Sequence, residues 1–272
     1  MTSLAADDLF AYLARIAYDG PISPTRAALN ALQLGHVQAI PFENLGPLSG
    51  NPPKLDLPAL LHKLVRSPRG GYCFEHNHLF KAVLEAFGFA PVPLIGRVLI
   101  NSPEDAQTPR SHMLLRLDCE GEDLICDVGF GGQVVTGPMR LVPDVEQETP
   151  HEPYRLDQDG NIWSLRALVG GDWRLLYRFT LDPTWPIDYE VANHYVATHP
   201  NSHFVQRLGV ARVLPRGRLT LREGKLTEHR LGQASLVQDI DGAEATRAVL
   251  AERFGIAVAD DIWQRICARI GL

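Results

Sequence analysis

Through the first 90 residues apolar side chains recur at intervals of three and four. From Pro91 onward they fall in short runs broken by Gly, Asp and Asn. The first spacing is that of a helix with one apolar face, and the second is that of strands joined by turns. Residues 5–18 place Leu9, Tyr12, Leu13 and Ile16 on one face, and Asp19-Gly20-Pro21 stops the helix. A second helix is expected over 24–40, with Ser23 as N-cap and Pro41 as terminator. A third short helical pattern covers 57–65. Arg69-Gly70-Gly71 forms a loop before a fourth helix over 73–87, closed by Gly88.

Strand-like runs follow at 92–100, 112–119, 123–130, 154–168 and 173–181, which predicts a small antiparallel sheet or barrel. A helical stretch at 187–197 precedes strands at 211–214, 218–222 and 225–230 and helices at 243–254 and 260–270. This order predicts an α+β chain without internal repeats. A helical region spans 1–90, a β-rich region 91–200 and an α/β region 201–272.

With 272 residues, 45% hydrophobic and 21% charged, the chain can bury a substantial core and has no compositional mark of disorder. The net charge of −6 and the absence of a basic run exclude a nucleic-acid partner, since phosphate neutralisation needs clustered Lys and Arg. The N-terminal segment carries Asp7 and Asp8 where a secretory leader needs positive charge, so it is expected to be part of the fold. No apolar run approaches the about 20 residues of a membrane span. Cys73, Cys119, Cys126 and Cys267 match neither a disulfide framework nor a paired zinc pattern, which points to a reducing, cytoplasmic setting.

A cysteine acts as a nucleophile in its thiolate form, which a helix N-terminus or a neighbouring imidazolium favours. Cys73 opens the fourth helix, where the dipole and first-turn N–H groups face the sulfur and could also serve an oxyanion. The commoner reading of an isolated cysteine is a buried structural thiol, and Cys119, Cys126 and Cys267 take that reading. A base is available in His112, which opens the run HMLLRL. Asp127, inside the apolar run LICDVGFGG, is a carboxylate in need of a partner. Taken alone, the two read equally well as a strand-end histidine and a satisfied structural carboxylate. Equidistant pairing about Gly121 would set His112 near Phe130 and Asp127 near Leu115. Bringing His112 and Asp127 together then requires a shifted register, a bulge or a diagonal reach.

Cys73, His76 and His78 imitate metal-ligand spacing but fall on different helix faces, so no metal site is expected. Gly129, Gly131 and Gly132 lack the lysine and the strand-turn-helix order of a phosphate loop. They read either as a turn at a strand end or as backbone that lets a thin ligand arm approach.

RIAYDGPISPT at 15–25, IPFENL at 40–45, RGGYCFEHNHLF at 69–80, SHMLL at 111–115, CDVGFGG at 126–132 and NHYVATHPNSHF at 193–204 together resemble the arylamine N-acetyltransferases. The likeness runs from near the start of the chain to Phe204. It implies a helical bundle, an antiparallel β-barrel and an α/β lid, with a triad geometry like that of papain-like proteases and transglutaminases. It implies no permanently bound cofactor, acetyl-CoA as co-substrate, and arylamines, arylhydrazines or N-hydroxyarylamines as acceptors. Carried over by position, Cys73 is the acyl-thioester nucleophile, His112 the base and Asp127 its orienter. Phe130 and Ser111 line the acceptor site, and Gly129, Gly131 and Gly132 lie along the CoA arm. Glu43 and Arg69 take structural roles, with Arg69 paired to a carboxylate near the triad. Competing readings are an amide synthase of polyketide (macrolactam) assembly, a papain-like or transglutaminase-type enzyme, and an inactive binding module. The intact Cys, His and Asp argue against the last.

Overall fold

A computed structural model describes residues 4–272; Met1 to Ser3, the first residues of the segment expected to belong to the fold, lie outside the described residues. Helix α1 (Ala6–Arg15) buries Leu9, Tyr12 and Leu13, the face set by its apolar spacing. Helix α2 spans Arg26–Ala39 and is capped by Thr25, whose hydroxyl accepts from the Ala28 N–H at 3.3 Å, so the expected cap at Ser23 and start at Pro24 are corrected by two residues. Strand β1 (Phe42–Glu43) and helix α3 (Leu45–Leu48), neither expected from the pattern, follow. Helix α4 (Leu57–Leu60) runs on into a π-turn at Leu61–Val65, and α5 (Cys73–Ala86) is the central helix of this region. Leu29, Leu32, Phe74, Leu79, Phe80 and Val83 are wholly buried among these helices. Each such side chain contributes about 1.5–3 kcal/mol of burial free energy.

The middle of the chain forms eight antiparallel strands: β2 (Val92–Val98), β3 (Arg110–Cys119), β4 (Glu122–Cys126), β5 (Met139–Arg140), β6 (Glu146–Gln147), β7 (Tyr154–Asp159), β8 (Ile162–Val169) and β9 (Asp172–Phe179). Their order is β5-β4-β3-β2-β9-β8-β7-β6, so the two edges are successive in the chain. The Gln147 side chain joins them. Its amide oxygen accepts from the Arg140 N–H at 2.8 Å and its amide nitrogen donates to the Arg140 carbonyl at 3.0 Å, as a neighbouring strand would. The sheet is thereby nearly closed into a barrel, which removes free edges. The run expected as one strand over 154–168 is a hairpin, because Gly160 adopts a positive φ of 57° and reverses the chain between Asp159 and Ile162.

Helices α6 (Pro186–Thr198) and α7 (His203–Gln206) lead to strands β10 (Gly209–Leu214), β11 (Gly217–Arg222), β12 (Lys225–Arg230) and β13 (Leu236–Asp239). Helices α8 (Ala243–Phe254) and α9 (Asp260–Ile270) complete the chain. The C-terminal sheet has the order β1-β10-β11-β12-β13, so its first strand comes from the helical region, with Phe42 opposite Ala211. Leu45 and Leu48 of α3 pack in the same core as Leu250, Phe254 and Trp263. Packing therefore crosses the boundary expected at residue 200. Among the described residues no helix is long and apolar enough to cross a membrane.

Candidate active site

Cys73 is the first residue of α5, and the backbone leading into it is tightly held. The Glu75 carboxylate accepts from the Tyr72 N–H at 3.1 Å, and the Gly71 carbonyl accepts from the Glu43 N–H at 2.7 Å. Glu43 is buried and bonded to Arg69 at 2.6 and 3.0 Å, which is the Arg69–carboxylate pair expected near the triad. Lys63 bridges Glu43 at 3.8 Å and Glu75 at 2.6 Å. Burial pushes both carboxyls up. Lys63 and Arg69 bring Glu43 below its ordinary value, whereas Glu75, with Lys63 and the Tyr72 N–H favouring its charge and Glu43 repelling it, stays above.

The register question is settled by a two-residue turn. Glu120 and Gly121 both have positive φ, 58° and 83°, and Cys119 pairs with Glu122, so the hairpin is centred between Glu120 and Gly121 instead of on Gly121. Pairing continues to Leu115 opposite Cys126 and stops. The strand expected to reach residue 130 ends at Cys126, because helix side chains take over the hydrogen bonds beyond it. Asn77 Oδ1 accepts from the Val128 N–H at 3.2 Å, and Gln33 donates to the Asp127 carbonyl at 3.4 Å. Released from the sheet, Asp127 reaches diagonally to His112, with Nε2 to Oδ2 at 2.7 Å.

A bulge completes the arrangement. Gly96 of β2 lies opposite His112 and Arg97 opposite Arg110, which leaves Ser111 as the extra residue. The Ser111 carbonyl lies 3.5 Å from Cys73 Sγ, while its hydroxyl turns away toward the Pro109 carbonyl at 3.4 Å. The Cys73 sulfur is near enough to His112 to favour the charged form of its ring. Cys73, His112 and Asp127 are only 4%, 2% and 0% exposed, so a reaction here runs largely out of contact with bulk water.

Burial works against a charge on His112, but the Asp127 carboxylate and the Cys73 sulfur outweigh it and raise the imidazole to about 10. Burial likewise works against the Asp127 charge, and His112, the Gly129 N–H and Asn77 hold the carboxyl below its ordinary value. Both shifts favour an imidazolium facing a carboxylate. Burial raises the thiols of Cys119, Cys126 and Cys267, in keeping with inert cysteines.

Two residues not singled out from the sequence secure Asp127. Asn77 donates to Asp127 Oδ1 at 3.0 Å and to the Met113 carbonyl at 2.7 Å, and the Tyr177 hydroxyl donates to Oδ2 at 3.1 Å. Asn77 stands one helical turn after Cys73, so its spacing was a usable signal. Tyr177 is brought in only by the pairing of β2 with β9, which no local pattern reveals.

Of the other expected residues, Phe130 is half-buried and packs edge-on to His112 and tilted against Tyr177, each at 5.0 Å between ring centroids. The three glycines separate. Gly129 lies against the Cys73 backbone, Gly131 has φ 80° and faces the Phe42 ring, and Gly132 faces Thr220 of β11. His76 and His78 are engaged with His36 and backbone carbonyls, and among the described residues no group of three or more metal-ligating side chains is assembled.

Comparison with known proteins places this geometry in context. A family model described as N-acetyltransferase matches residues 25–263. An arylamine N-acetyltransferase of Mycolicibacterium smegmatis is 44% identical over 97% of the chain and 98% of the relative. A Salmonella typhimurium relative described as arylamine N-acetyltransferase / N-hydroxyarylamine O-acetyltransferase is 40% identical over 93% and 90%. The structure of Mycobacterium marinum arylamine N-acetyltransferase in complex with CoA superposes with a TM-score of 0.91 at 38% identity, covering 96% of this chain and 99% of that one.

Proposed function

The chain belongs to the arylamine N-acetyltransferase family, and from that premise we propose that it carries the acetyl group of acetyl-CoA to an aromatic amine on the sulfur of Cys73. Acetyl-CoA is a co-substrate, and the acceptors are arylamines and arylhydrazines, with N-hydroxyarylamines a further class by analogy with the Salmonella relative. The observation that carries this reading is the placement of Cys73, at a helix start, beside an imidazole held by a buried carboxylate.

In the first half-reaction the Cys73 sulfur attacks the acetyl carbonyl and the CoA sulfur departs, so one thioester replaces another and little free energy is lost. With Nε2 committed to Asp127, Nδ1 of His112 is the nitrogen left to pass a proton to the departing CoA thiolate. In the second half-reaction the unprotonated amine attacks the acetyl-Cys73 carbonyl. His112 takes the amine proton as the tetrahedral intermediate collapses and the Cys73 sulfur is released. Asp127, fixed by Asn77, Tyr177 and the Gly129 N–H, keeps the imidazole in one orientation through both steps. Phe130, edge-on to His112, offers a flat aromatic acceptor a stacking surface beside the acyl group. Ser111 turns its carbonyl toward the Cys73 sulfur, beside the acyl group. Gly129, Gly131 and Gly132 are assigned to the CoA arm by resemblance to the family, with Gly129 against the Cys73 backbone, Gly131 against Phe42 and Gly132 against Thr220. Four unpaired cysteines support a reducing, cytoplasmic setting.

Intact-mass measurement after incubation with acetyl-CoA alone tests the proposal. One added acetyl group, localised to Cys73 and discharged by an aromatic amine, is expected. A wild-type protein that gains no acetyl group, or a Cys73→Ala protein that still transfers, overturns it. Cys119→Ala, Cys126→Ala and Cys267→Ala are expected to retain transfer.

A further inference from the structure

His76 belongs to the motif around Cys73, and the mechanism above does not use it. It ends a chain of buried polar groups that crosses three helices. The Tyr12 hydroxyl on α1 lies 2.8 Å from His36 Nδ1 on α2, and His36 Nε2 lies 2.8 Å from His76 Nδ1 on α5. His76 Nε2 lies 3.0 Å from the Gly71 carbonyl and 3.3 Å from that of Pro41. All three side chains are essentially inaccessible to solvent.

The partners fix the direction of every bond. His76 Nε2 meets only carbonyl oxygens, so it carries the hydrogen, and in a neutral ring Nδ1 must then accept. His36 Nε2 therefore donates, His36 Nδ1 accepts, and the Tyr12 hydroxyl donates. Burial, reinforced for His36 by His76 and Arg15, keeps His36 well below the ordinary histidine value and lowers His76 to about 4, so both rings are neutral at physiological pH.

What lies at the end of this chain is the approach to the nucleophile. Gly71 is two residues before Cys73, and its carbonyl takes hydrogen bonds from both His76 and the Glu43 N–H. The loop has little room to shift, since a Cβ on Gly70 would sit 1.8 Å from the Pro41 carbonyl oxygen. We propose that Tyr12, His36 and His76 are positioning residues, a one-way hydrogen-bond relay that sets the Gly71 carbonyl and through it the Cys73 sulfur against His112. The proposal rests on Cys73 being the acylated residue, and none of the three relay residues touches substrate.

The test is single-turnover acetylation by acetyl-CoA, followed by rapid quench and intact mass and expressed per active site titrated by CoA release. Tyr12→Phe, which removes one hydroxyl and keeps the ring, is expected to lower the maximal acetylation rate about fivefold with the half-saturating acetyl-CoA concentration unchanged. His36→Leu, which removes both a donor and an acceptor, is expected to lower it about tenfold or more. His36→Gln keeps one donor and one acceptor and is expected to recover most of that loss. A wild-type rate per site in Tyr12→Phe, or no recovery in His36→Gln relative to a folded His36→Leu, overturns the relay. If the His36 variants do not fold, Tyr12→Phe alone decides. If the wild-type protein is not acetylated on Cys73, the functional reading has failed instead. The relay is then judged by iodoacetamide labelling of Cys73, and an unchanged labelling rate in Tyr12→Phe overturns it.

Discussion

Gly129 and Cys73 meet backbone to backbone: a Cβ placed on Gly129 would lie 2.7 Å from the Cys73 Cα and 2.9 Å from its carbonyl oxygen. The start of α5 and the segment carrying Asp127 are thus pressed together, with the Asn77 amide packed against the same point at 2.8 Å. Gly129→Ala is expected to destabilise the fold by about 1–3 kcal/mol, the usual penalty of overpacking, and to slow acetylation of Cys73 per folded site. Urea denaturation and single-turnover acetylation check the two effects, and an unchanged midpoint would contradict the contact.

Asp127 has no exposure and holds a charged imidazole, so Asp127→Asn leaves that charge uncompensated. Removing one partner of a buried pair typically costs about 3–5 kcal/mol unless the remaining group becomes neutral. His112 is therefore expected to titrate far below its present value of about 10, because burial is then opposed chiefly by Cys73. Iodoacetamide labelling of Cys73 across pH 5 to 9 reports this. A pH profile identical to wild type would count against the triad.

Transfer by one sulfur to two substrates in turn predicts parallel double-reciprocal plots for acetyl-CoA and amine, with free CoA competing against the amine. Phe130 packs on His112, so Phe130→Ala is expected to change acceptor preference more than the rate of acetylation by acetyl-CoA. Initial-rate grids with a flat aromatic amine and an alkylamine distinguish these effects. Intersecting lines, or equal use of the two amines, would refute the arrangement.

Stability is expected to peak near neutral pH, for opposite reasons on the two sides. His36 and His76 are depressed in the folded state, so below the ordinary histidine value of 6.5 the unfolded chain binds more protons, and stability falls between 6.5 and about 4. His112 is raised. Its contribution is fully present below 6.5 and is lost as pH rises toward about 10. Denaturation midpoints measured from pH 4 to 10 should trace this dome in the wild type. Replacing His36 by Gln should flatten the acid limb and leave the alkaline limb in place.

Much of this was legible in the chain. The spacing of Leu9, Tyr12 and Leu13 marked α1, the glycine pair before Cys73 marked the start of α5, and the short runs broken by Gly, Asp and Asn marked an antiparallel sheet or barrel. What escaped depended on single residues acting across long distances. The Asp127 segment read as strand because its side chains are apolar, and only Asn77 and Gln33, reaching from helices, remove it from the sheet. Ser111 could not be recognised as a bulge until β2 was set beside β3. Strands of two residues such as β1, β5 and β6 carry too few side chains for any periodicity, so they emerge only from their partners.

The pairing of Phe42 with Ala211 also bears on how the protein is made. The segment just before the Cys73 loop cannot acquire its sheet neighbour until the chain has been made through Ala211, 169 residues later. Such distant contacts are slow to form, because the entropy of closing the intervening loop is lost before the contact is gained. A nascent or truncated chain ending before β10 therefore carries Cys73 with β1 unpaired. Competence for acetylation should appear late in synthesis and all at once.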